Sequence, residues 1–571
     1  MRLDKNQQNA VNHFKGPAIV VAGPGSGKTT VITARILNLI QSYNILPTQI
    51  LAIAFNRKAV EEMETRIIRE LPSQNELPNI RTLHAFGKDI ITEHYQKAGF
   101  KDLPQIWSGE IERIITDETK QILQSAATSP VSIYKIENTF TGKCYIGQTT
   151  NPERRKREHF TGSSNDRLRQ AIGSEGENRF SFSILERVSG GEANHREAYW
   201  IRYHKEIGEI FNRADPLRQQ YSNQIMIEMF CQHFDIPYIE HSDRNPDFEN
   251  MTDRFHEIKE IVMRSKRQVE SGLFDPSNIE DPIVKEFAKK YESKKSQANA
   301  IDFEDMVIFA ANLLETYPDI RQTYCERFPF VLVDEFQDIA PSDFRLISNL
   351  SENLFAVGDD DQAIYSFRGG DSKIMLQFSE RNDVKKYEIT RNYRCTSTIV
   401  EHARALIERN NPRIRKNLRA FNPIKSHIKG LDTTPETITL HLLDELSQPI
   451  ETAILVRTNY EVDKINDMIS DISTSDTIEV TTIHKAKGRE WDRVILIHNT
   501  LDRRFPRRDT ILAEERRVFY VAMTRAKDEL IVLGGTCQFV PEYQKISKNL
   551  GYYIRQYFYW WDRRKMKKLN T

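Results

Sequence analysis

The chain has few cysteines, no signal-peptide core and no long apolar run. The cysteines are scattered without a C-x-x-C pair, at Cys144, Cys231, Cys325, Cys395 and Cys537. This pattern argues against a zinc ribbon, an iron–sulfur cluster and a disulfide framework, and it favours a reducing cytoplasm. The first residues lack the apolar core of a signal peptide, and no apolar run reaches the ~18 residues that a membrane span needs. We therefore expect a soluble, intracellular protein.

The chain also lacks an excess of charge of either sign. Lys plus Arg and Asp plus Glu both total 81, so the formal net charge is zero. A surface for nucleic acid would therefore have to be a local basic patch. At 571 residues the chain exceeds the size at which one core stops growing, so we expect several domains.

Short runs rich in β-branched residues recur in two clusters. The first comprises 18–22, 50–55, 330–333 and 354–357, and the second comprises 453–456, 478–482, 493–497 and 530–533. Runs this apolar predict strands buried on both faces, as in parallel sheets. Charge-rich helical patterns, such as 57–70 and 342–350, separate the strands. The sequence therefore predicts an α/β fold with two doubly wound units whose sheets face one another.

A long insertion interrupts the first unit. It is helical at 109–124, 253–268 and 281–296, and a compositionally distinct α/β block lies inside it. The end of the chain alternates aromatic residues with Lys and Arg, which indicates a docking helix. The predicted domains are a first α/β domain at 1–87 and 301–375, a helical insertion at 88–130 and 216–300, the inserted block at 131–215, a second α/β domain at 376–545 and a basic aromatic tail at 546–571.

A glycine-rich loop follows the first strand and opens a helical pattern. It comprises Ala22, Gly23, Pro24, Gly25, Ser26, Gly27, Lys28, Thr29 and Thr30. In this context the glycines let backbone N–H groups close on phosphates, which predicts a Walker A loop; the alternative is a tight glycine turn without a ligand. We expect Lys28 to pair with the β- and γ-phosphates of ATP and the Thr29 hydroxyl to ligate Mg²⁺. Ala22 stands where the motif usually has its first glycine.

Two adjacent acids, Asp334 and Glu335, end the apolar run 330–333. Carboxylates are rarely left unpaired at the end of a buried strand without a function. We expect Asp334 to hold the metal and Glu335 to activate water.

These motifs, in this order, resemble the UvrD/Rep branch of superfamily 1 helicases over nearly everything outside 131–215. The resemblance implies two RecA-like motor domains of the P-loop NTPase class. It also implies that Gln7 reads adenine, that Gln362 in Val357-Gly-Asp-Asp-Asp-Gln362 senses the γ-phosphate, and that Tyr393 stacks on adenine.

The resemblance assigns further nucleotide contacts to the second domain. Arg394 and Arg525 match two arginine fingers, and Lys487 and Glu490 match residues near phosphate and ribose. Arginines contributed from the opposite sheet neutralise transition-state charge only when the cleft closes, which couples hydrolysis to domain motion.

A motor that steps along a single strand needs aromatic platforms and phosphate contacts. The resemblance places Phe55, Tyr365 and Phe367 on the DNA path, with Phe367 in place of a more usual Trp. The remaining predicted DNA contacts are polar or basic: Asn56, Arg57, Thr82, His84, Arg368 and His484. The resemblance further implies 3′-to-5′ movement.

One departure from the family concerns a second insertion. Relatives carry a large one between the motif at Tyr393 and Arg394 and the strand that ends at Arg457, where this chain has only about sixty residues. Since that domain regulates unwinding in relatives, translocation is the safer inference than efficient strand separation.

The inserted block carries its own constellation. Ser132-Ile-Tyr134 and Tyr145-Ile-Gly147 suit a hairpin that brings the two tyrosines together, and Arg155 and His159 share a helical face at i, i+4. With Glu197 on a later helix, the block resembles the GIY-YIG nuclease domain. Ser132 stands where that family commonly has its first glycine.

Cutting a phosphodiester requires a base, a metal and a charge clamp. The resemblance gives these roles to Tyr134, Glu197 and Arg155, with Tyr145 and His159 assisting and Asn212 supporting. A tyrosine has a pKa near ~10, so Tyr134 serves as a base only if neighbouring cations and the metal lower that value. Each residue alone also has an ordinary structural interpretation, for example Tyr134 as core or Glu197 as a solvated helix acid.

Three hypotheses remain. The first is an ATP-dependent DNA translocase or helicase with a built-in nuclease, acting on single-stranded, duplex or forked DNA in repair or in defence against invading DNA. The second is a motor whose inserted block only grips DNA. The third is an ATPase switch that senses DNA and activates a separate partner nuclease.

Overall fold

The computed structural model of the chain describes residues 3–71, 76–161, 166–207, 210–212, 229, 232–233, 251–424, 428–431, 442, 446, 450–469, 477–498 and 512–534. The expected docking helix in the tail lies outside these residues, as does nearly all of 213–250. Within the described ranges, no helix has both the length and the apolarity to cross a bilayer. Cys144, Cys325 and Cys395 are free thiols.

The strands are β1 (Ala18–Ala22), β2 (Ile50–Ala54), β3 (Asn79–Thr82), β4 (Gln105–Ile106), β5 (Pro130–Asn138), β6 (Cys144–Thr149), β7 (Phe180–Ser189), β8 (Ala300–Ile301), β9 (Phe330–Val333), β10 (Asn353–Gly358), β11 (Lys385–Ile389), β12 (Arg391–Thr396), β13 (Arg419–Asn422), β14 (Ile428–Leu431), β15 (Thr452–Val456), β16 (Ile478–Thr482), β17 (Trp491–Ile497) and β18 (Ala526–Leu533).

The helices are α1 (Lys5–Val11), α2 (Lys28–Gln41), α3 (Arg57–Glu70), α4 (Leu83–His94), α5 (Glu110–Thr128), α6 (Pro152–Thr161), α7 (Asp166–Glu175), α8 (Gly190–Ile207), α9 (Met251–Arg267), α10 (Pro282–Gln297), α11 (Phe303–Thr316), α12 (Pro318–Arg327), α13 (Pro341–Ser348), α14 (Ser372–Glu380), α15 (Ser397–Ile407), α16 (Asn459–Ile469), α17 (Ile483–Ala486) and α18 (Leu512–Met523).

The chain divides into two compact units. The first comprises Met1–Ala98, Lys266–Leu273 and Glu304–Thr571, and the second comprises Gly99–Ser265 and Phe274–Phe303. The first unit contains two parallel sheets, in the orders β11-β1-β10-β9-β2-β3 and β14-β18-β17-β15-β16. We call the six-stranded sheet with its helices the first lobe, and the five-stranded sheet together with β12 and β13 the second lobe.

Burial explains why these runs form parallel strands. Every residue of β1, β2, β9 and β15 is buried, so each strand must be apolar on both faces. Parallel strands direct their carboxyl ends to the same edge of a sheet, and ligands of open α/β sheets bind at that edge. The loops after β1, β9 and β10 carry Lys28, Asp334 and Gln362, so the first lobe brings the predicted nucleotide contacts to one edge.

The predicted boundary between 375 and 376 is wrong. Strand β11 pairs in parallel with β1, with Ala18 opposite Lys385, and therefore belongs to the first lobe. Helix α14 buries Met375 and Phe378 in the core of the same lobe. The polar edge strand β11 has only one buried residue, Ile389, so it gave no apolar run to recognise.

The second unit contains the antiparallel sheet β6-β5-β7, in which Tyr134 lies opposite Gly147. Because successive side chains of a strand point to opposite faces, the sheet has two separate cores. One face packs against helices of the flanking insertion, through Val131, Ile133, Ile146, Ile115, Ile258 and Phe287. The opposite face holds Tyr134, Ile136, Leu168, Phe180 and Phe211. The inserted block therefore shares a core with the helical insertion around it.

Candidate functional sites

The glycine-rich loop joins β1 to α2 in a conformation that requires glycine. Gly25 and Gly27 have φ angles of 62° and 82°, in the left-handed region. A Cβ atom on Gly25 would lie 2.5 Å from the Cβ of Arg394, so glycine also permits the second lobe to approach the loop. Asn392 of the second lobe donates to the carbonyl of Pro24 at 2.7 Å. The loop is thus held from both lobes.

Two acids and a hydroxyl form the candidate metal site. The Thr29 hydroxyl lies 3.5 Å from a carboxylate oxygen of Asp334. Burial, reinforced by Glu335, raises the pKa of Asp334 to about 7. Burial would also raise the pKa of Glu335, but Lys28 and Lys487 outweigh it and lower that pKa. A hydroxyl and a carboxylate at the end of a strand are oxygen ligands that suit Mg²⁺.

Gln7 and Tyr393 each bind a backbone carbonyl of the glycine-rich loop. The Gln7 amide donates to the carbonyl of Ser26 at 2.9 Å. The Tyr393 hydroxyl donates to Asp4 at 2.6 Å, and its backbone N–H donates to the carbonyl of Gly25 at 2.8 Å. Asp4 also caps α1. Its contact with Tyr393 was not predicted from the sequence, because acidic N-cap residues are common on any helix.

The two predicted arginine fingers lie on the side of the cleft that faces the first lobe. Arg525 lies 3.4 Å from the side-chain oxygen of Gln362. Burial, with the nearby Arg394, lowers the pKa of Arg525 to about 9. Arg394 donates to Glu490 at 2.6 Å, so the structure pairs the predicted first finger with the predicted ribose contact.

Lys487 is buried against acids of the first lobe. It is paired with Asp338, lies 3.9 Å from Glu335 and donates to the carbonyl of Gln362 at 2.9 Å. The resemblance implies that Lys487 lies near phosphate, and in the structure it lies beside the carboxylates of Glu335 and Asp338. Its ammonium group also lies 5.0 Å from the ring centroid of Tyr365.

A buried aspartate triplet, Asp359–Asp361, precedes Gln362, the predicted γ-phosphate sensor. Asp359 accepts from the Gln362 amide at 2.5 Å. Lys416, from the segment between α15 and β13, pairs with all three acids and lies 2.6 Å from Asp360 and 2.8 Å from Asp361. Arg413 adds a bidentate contact to Asp361. Sequence reasoning missed both cations, since neither belongs to a quoted motif.

Five of the predicted DNA contacts form one aromatic and basic cluster, which we call the aromatic cluster: Phe55, Tyr365, Phe367, Arg368 and His484. Phe55 and Tyr365 stack with centroids 5.2 Å apart. The Arg368 guanidinium lies 5.6 Å from the rings of both Tyr365 and Phe367. Burial, with Arg457, lowers the pKa of His484 to about 4, which keeps its ring neutral.

The other predicted DNA contacts have different partners. Asn56 caps α3, which begins at Arg57, and Thr82 caps α4. His84 lies 3.4 Å from Glu304. Burial would lower the pKa of His84, but Glu304 raises it.

The tyrosines, arginine and histidine predicted for the inserted block meet around the Tyr134 hydroxyl. The Arg155 Nε–H donates to the Tyr134 oxygen at 3.1 Å, and the same oxygen lies 2.7 Å from His159 Nε2. The Tyr134 oxygen therefore accepts from the arginine, and the direction of its hydrogen bond with the imidazole depends on the His159 tautomer. Tyr145 lies beside them, with its ring 5.2 Å from that of His159.

The pKa values of the buried groups bear on whether Tyr134 can act as a base. Burial raises the pKa of Tyr134 well above its usual value, and Arg155 offsets only part of that effect. Burial and Arg155 lower the pKa of His159 to about 3. The neighbouring protein cations therefore do not meet the condition set for Tyr134 as a base, and the imidazole of His159 is neutral and only weakly basic.

Glu197 approaches from α8, beside two amides. Gln148 donates to Glu197 at 2.5 Å and to Asn194 at 2.6 Å. Burial raises the pKa of Glu197 to about 7, against the opposing effects of Gln148 and Arg155. Asn212 exchanges two hydrogen bonds with the backbone of Ile146 and so fixes strand β6. Sequence reasoning missed Gln148 and Asn194. The one feature in the sequence that could have indicated them is a polar amide within a buried strand or helix face.

The fold and site are those of a P-loop NTPase with a cleft between its lobes. The features that define this class are the two parallel-sheet lobes, the glycine-rich loop, the acidic strand and the arginines from the opposite lobe. The chain matches the family model described as the UvrD/REP helicase N-terminal domain over residues 3–383, and the UvrD-like helicase C-terminal domain over residues 466–534. The chain therefore belongs to the UvrD/Rep helicase family.

Relatives agree with this assignment at low identity. The chain is 24% identical over 470 residues to a putative ATP-dependent DNA helicase, YjcD, of Bacillus subtilis, covering 80% of this chain and 46% of the relative. It is 24% identical over 563 residues to DNA helicase IV of Escherichia coli, covering 93% and 68% respectively. It is 23% identical over 424 residues to the ATP-dependent DNA helicase PcrA of Staphylococcus epidermidis, covering 74% and 42%. The chain thus spans less than half the length of the Bacillus and Staphylococcus relatives.

Proposed function

We propose that this chain is an ATP-dependent DNA translocase with helicase activity. The observation that carries the proposal is the position of Lys487, which joins the ATP site to the aromatic cluster. Lys487 is paired with Asp338 and lies over the ring of Tyr365, which stacks on Phe55. Base stacking on such rings is tolerant of sequence, as tracking along a single strand requires. A change in the contacts of Lys487 at the ATP site can therefore alter the position of Tyr365 on the proposed DNA path.

The residues of the cleft have different roles in ATP hydrolysis. Lys28 and the backbone of the glycine-rich loop bind the phosphates of ATP, and Gln7 and Tyr393 lie at the adenine end. Glu335 accepts a proton from the attacking water, and Arg394 and Arg525 neutralise charge on the γ-phosphate from the second lobe. Thr29 and Asp334 would hold Mg²⁺, which supplies positive charge at the phosphates when bound.

The direct test is DNA-stimulated ATP hydrolysis. We expect Lys28→Ala to lower the hydrolysis rate by about 100-fold or more, because it removes a charge from the transition state. Lys15→Ala changes an exposed lysine outside the cleft and serves as the matched control. Equal rates in Lys28→Ala and Lys15→Ala would overturn the assignment of the site.

The direction of movement and the biological role rest on the family. We propose 3′-to-5′ movement on single-stranded, duplex or forked DNA, in repair or in defence against invading DNA. The alternative is an ATPase switch that senses DNA and activates a partner nuclease. DNA-stimulated hydrolysis without strand displacement or removal of streptavidin from a DNA end would favour the switch.

We propose further that the inserted block is a GIY-YIG-type DNA endonuclease. The observation that favours it is the meeting of Tyr134, Arg155 and His159 at one hydroxyl. Tyr134 would take the proton from water as a phenolate once a bound metal lowers its pKa, with His159 hydrogen-bonded to the same oxygen, and Arg155 binds the scissile phosphate once DNA displaces its contact with Glu158. Glu197 would hold Mg²⁺, which supplies charge stabilisation at the phosphodiester when bound.

Nicking of supercoiled DNA tests this proposal. We expect Glu197→Ala to abolish metal-dependent nicking while ATP hydrolysis continues, and Lys28→Ala to keep nicking. Glu192→Ala, an exposed acid on the same helix α8, is the matched control. If the wild-type protein binds DNA through this block but never nicks it, the block only grips DNA.

A further inference from the structure

Gln148 has a buried oxygen that meets no protein donor. It lies on strand β6, with only 6% of its surface exposed. Its amide nitrogen donates to Asn194 at 2.6 Å and to Glu197 at 2.5 Å. Its side-chain oxygen is buried and accepts no hydrogen bond from the described part of the chain.

The orientation of this amide is fixed by its two partners. Both are oxygens that accept, the Asn194 Oδ1 atom and a Glu197 carboxylate oxygen. Turning the amide over would bring the Gln148 oxygen against both of them and leave its two N–H hydrogens without acceptors. The oxygen must therefore face the remaining direction, where a buried acceptor without a donor costs about 1–3 kcal/mol.

The residues around Gln148 indicate which kind of ligand its side-chain oxygen faces. Asn194 and Glu197 are three residues apart on α8 and so share one face of the helix. The group presents amide and carboxylate oxygens with a single negative charge and no sulfur or imidazole among the three residues. Such a set suits a hydrated Mg²⁺ or Mn²⁺ ion, which keeps most of its waters, better than a soft metal.

We propose that Gln148 is a positioning residue for a hydrated divalent cation at Glu197. Its amide nitrogen holds the carboxylate in place, and its oxygen accepts a hydrogen bond from a water of the ion. This inference rests on the proposed nuclease function, for which Glu197 is the metal ligand. Gln148 is not among the nuclease residues predicted from the sequence. If it acts in this way, its substitution should lower metal affinity, while cutting should recover at saturating metal.

The test measures Mn²⁺ binding to the full chain by electron paramagnetic resonance, without nucleotide, in parallel with nicking. The Mn²⁺ signal lost in Glu197→Ala defines the site. We expect Gln148→Met, which keeps the length but removes both polar atoms, to weaken that Mn²⁺ affinity by about 10–100-fold. Nicking by Gln148→Met should recover towards the wild-type rate at saturating Mn²⁺. Gln124→Met, at an exposed position on α5, should leave both unchanged.

A second variant separates this role from simple packing. Gln148→Glu places a charged oxygen where the amide oxygen was, so an ion there should bind at least as tightly as in the wild type. If the position were only structural, the new carboxylate would repel Glu197 and the Mn²⁺ signal would be lost. Thermal unfolding and circular dichroism of each variant, compared with the wild type, confirm that the unit containing Gln148 is folded.

The outcomes for the two proposals differ. Mn²⁺ binding that depends on both Glu197 and Gln148, in a protein that never nicks DNA, supports the inference and refutes the nuclease. Wild-type affinity in Gln148→Met overturns the inference even if nicking is normal. Absence of any Glu197-dependent Mn²⁺ signal also overturns it.

Discussion

At the scale of single residues, Gly147 shows how the tyrosine site depends on a missing side chain. A Cβ atom there would lie 2.6 Å from Cζ of Tyr134 and 3.0 Å from Cε1 of Tyr145. Tyr134 is fully buried and cannot move aside. We therefore expect Gly147→Ala to destabilise the protein by about 1–3 kcal/mol and to lower nicking sharply by displacing the Tyr134 hydroxyl. Thermal unfolding and a nicking assay measure the two effects.

The matched control is Gly173→Ala, because a Cβ atom at Gly173 meets nothing within 4 Å on helix α7. That substitution should be neutral or stabilising, by up to about 1 kcal/mol, since alanine favours a helix. Equal losses of stability in the two variants would show that the tyrosine contact is not the cause.

Single residues also mark the limit of what the sequence can predict. Tyr134, Arg155 and His159 were predicted from a motif resemblance and its spacing, and the structure brings them together. Lys416 and Gln148 could not be predicted in this way. Their partners lie on other elements, so no motif spacing in the sequence marks contacts that form only on folding. A lone buried cation or amide becomes recognisable only when its neighbours are known.

At the scale of elements, the segment between α15 and β13 holds the loop of the first lobe that carries Gln362, the predicted γ-phosphate sensor. Lys416 from this segment pairs with Asp359, which in turn holds the amide of Gln362. Removing the cation breaks its buried ion pairs with Asp359 and Asp360, although Arg413 still pairs with Asp361, and breaking a buried pair costs about 3–5 kcal/mol. We expect Lys416→Met to lower the maximal rate of ATP hydrolysis more than the affinity for ATP, because Gln362 loses its position. Steady-state hydrolysis separates kcat from KM.

Lys373→Met, at an exposed lysine of α14, controls for the loss of charge. Adding Asp360→Asn to Lys416→Met should restore part of the stability by removing one unpaired carboxylate. A Lys416→Met protein with normal stability and a normal kcat would rule out this role of the segment.

Elements were predictable where burial dictates composition. The strands at 18–22 and 330–333 have the predicted bounds, since a strand buried between helices has to be apolar throughout. The strand at 478–482 also has the predicted bounds, although it is only partly buried and contains Glu479; its β-branched residues were the signal. Helix α3 begins at Arg57 as predicted, because Asn56 caps it. Strand β11 escaped prediction because an edge strand with exposed lysines has no such pattern.

At the scale of the whole molecule, the two candidate sites lie in separate compact units of one chain. The cleft of the first unit contains Lys28 and Asp334, and the sheet of the second contains Tyr134 and Glu197. No side chain is shared between these sites in the roles proposed. We therefore expect substitutions to remove one activity at a time.

The most direct measurement uses one labelled forked duplex with streptavidin on its 3′-tailed strand, incubated with ATP and Mg²⁺. The wild-type protein should both displace streptavidin and cut the DNA. Lys28→Ala should cut without displacing, and Glu197→Ala should displace without cutting. If Lys28→Ala still displaces streptavidin, or if Glu197→Ala still cuts, the account of a motor and a separate nuclease in one chain is contradicted.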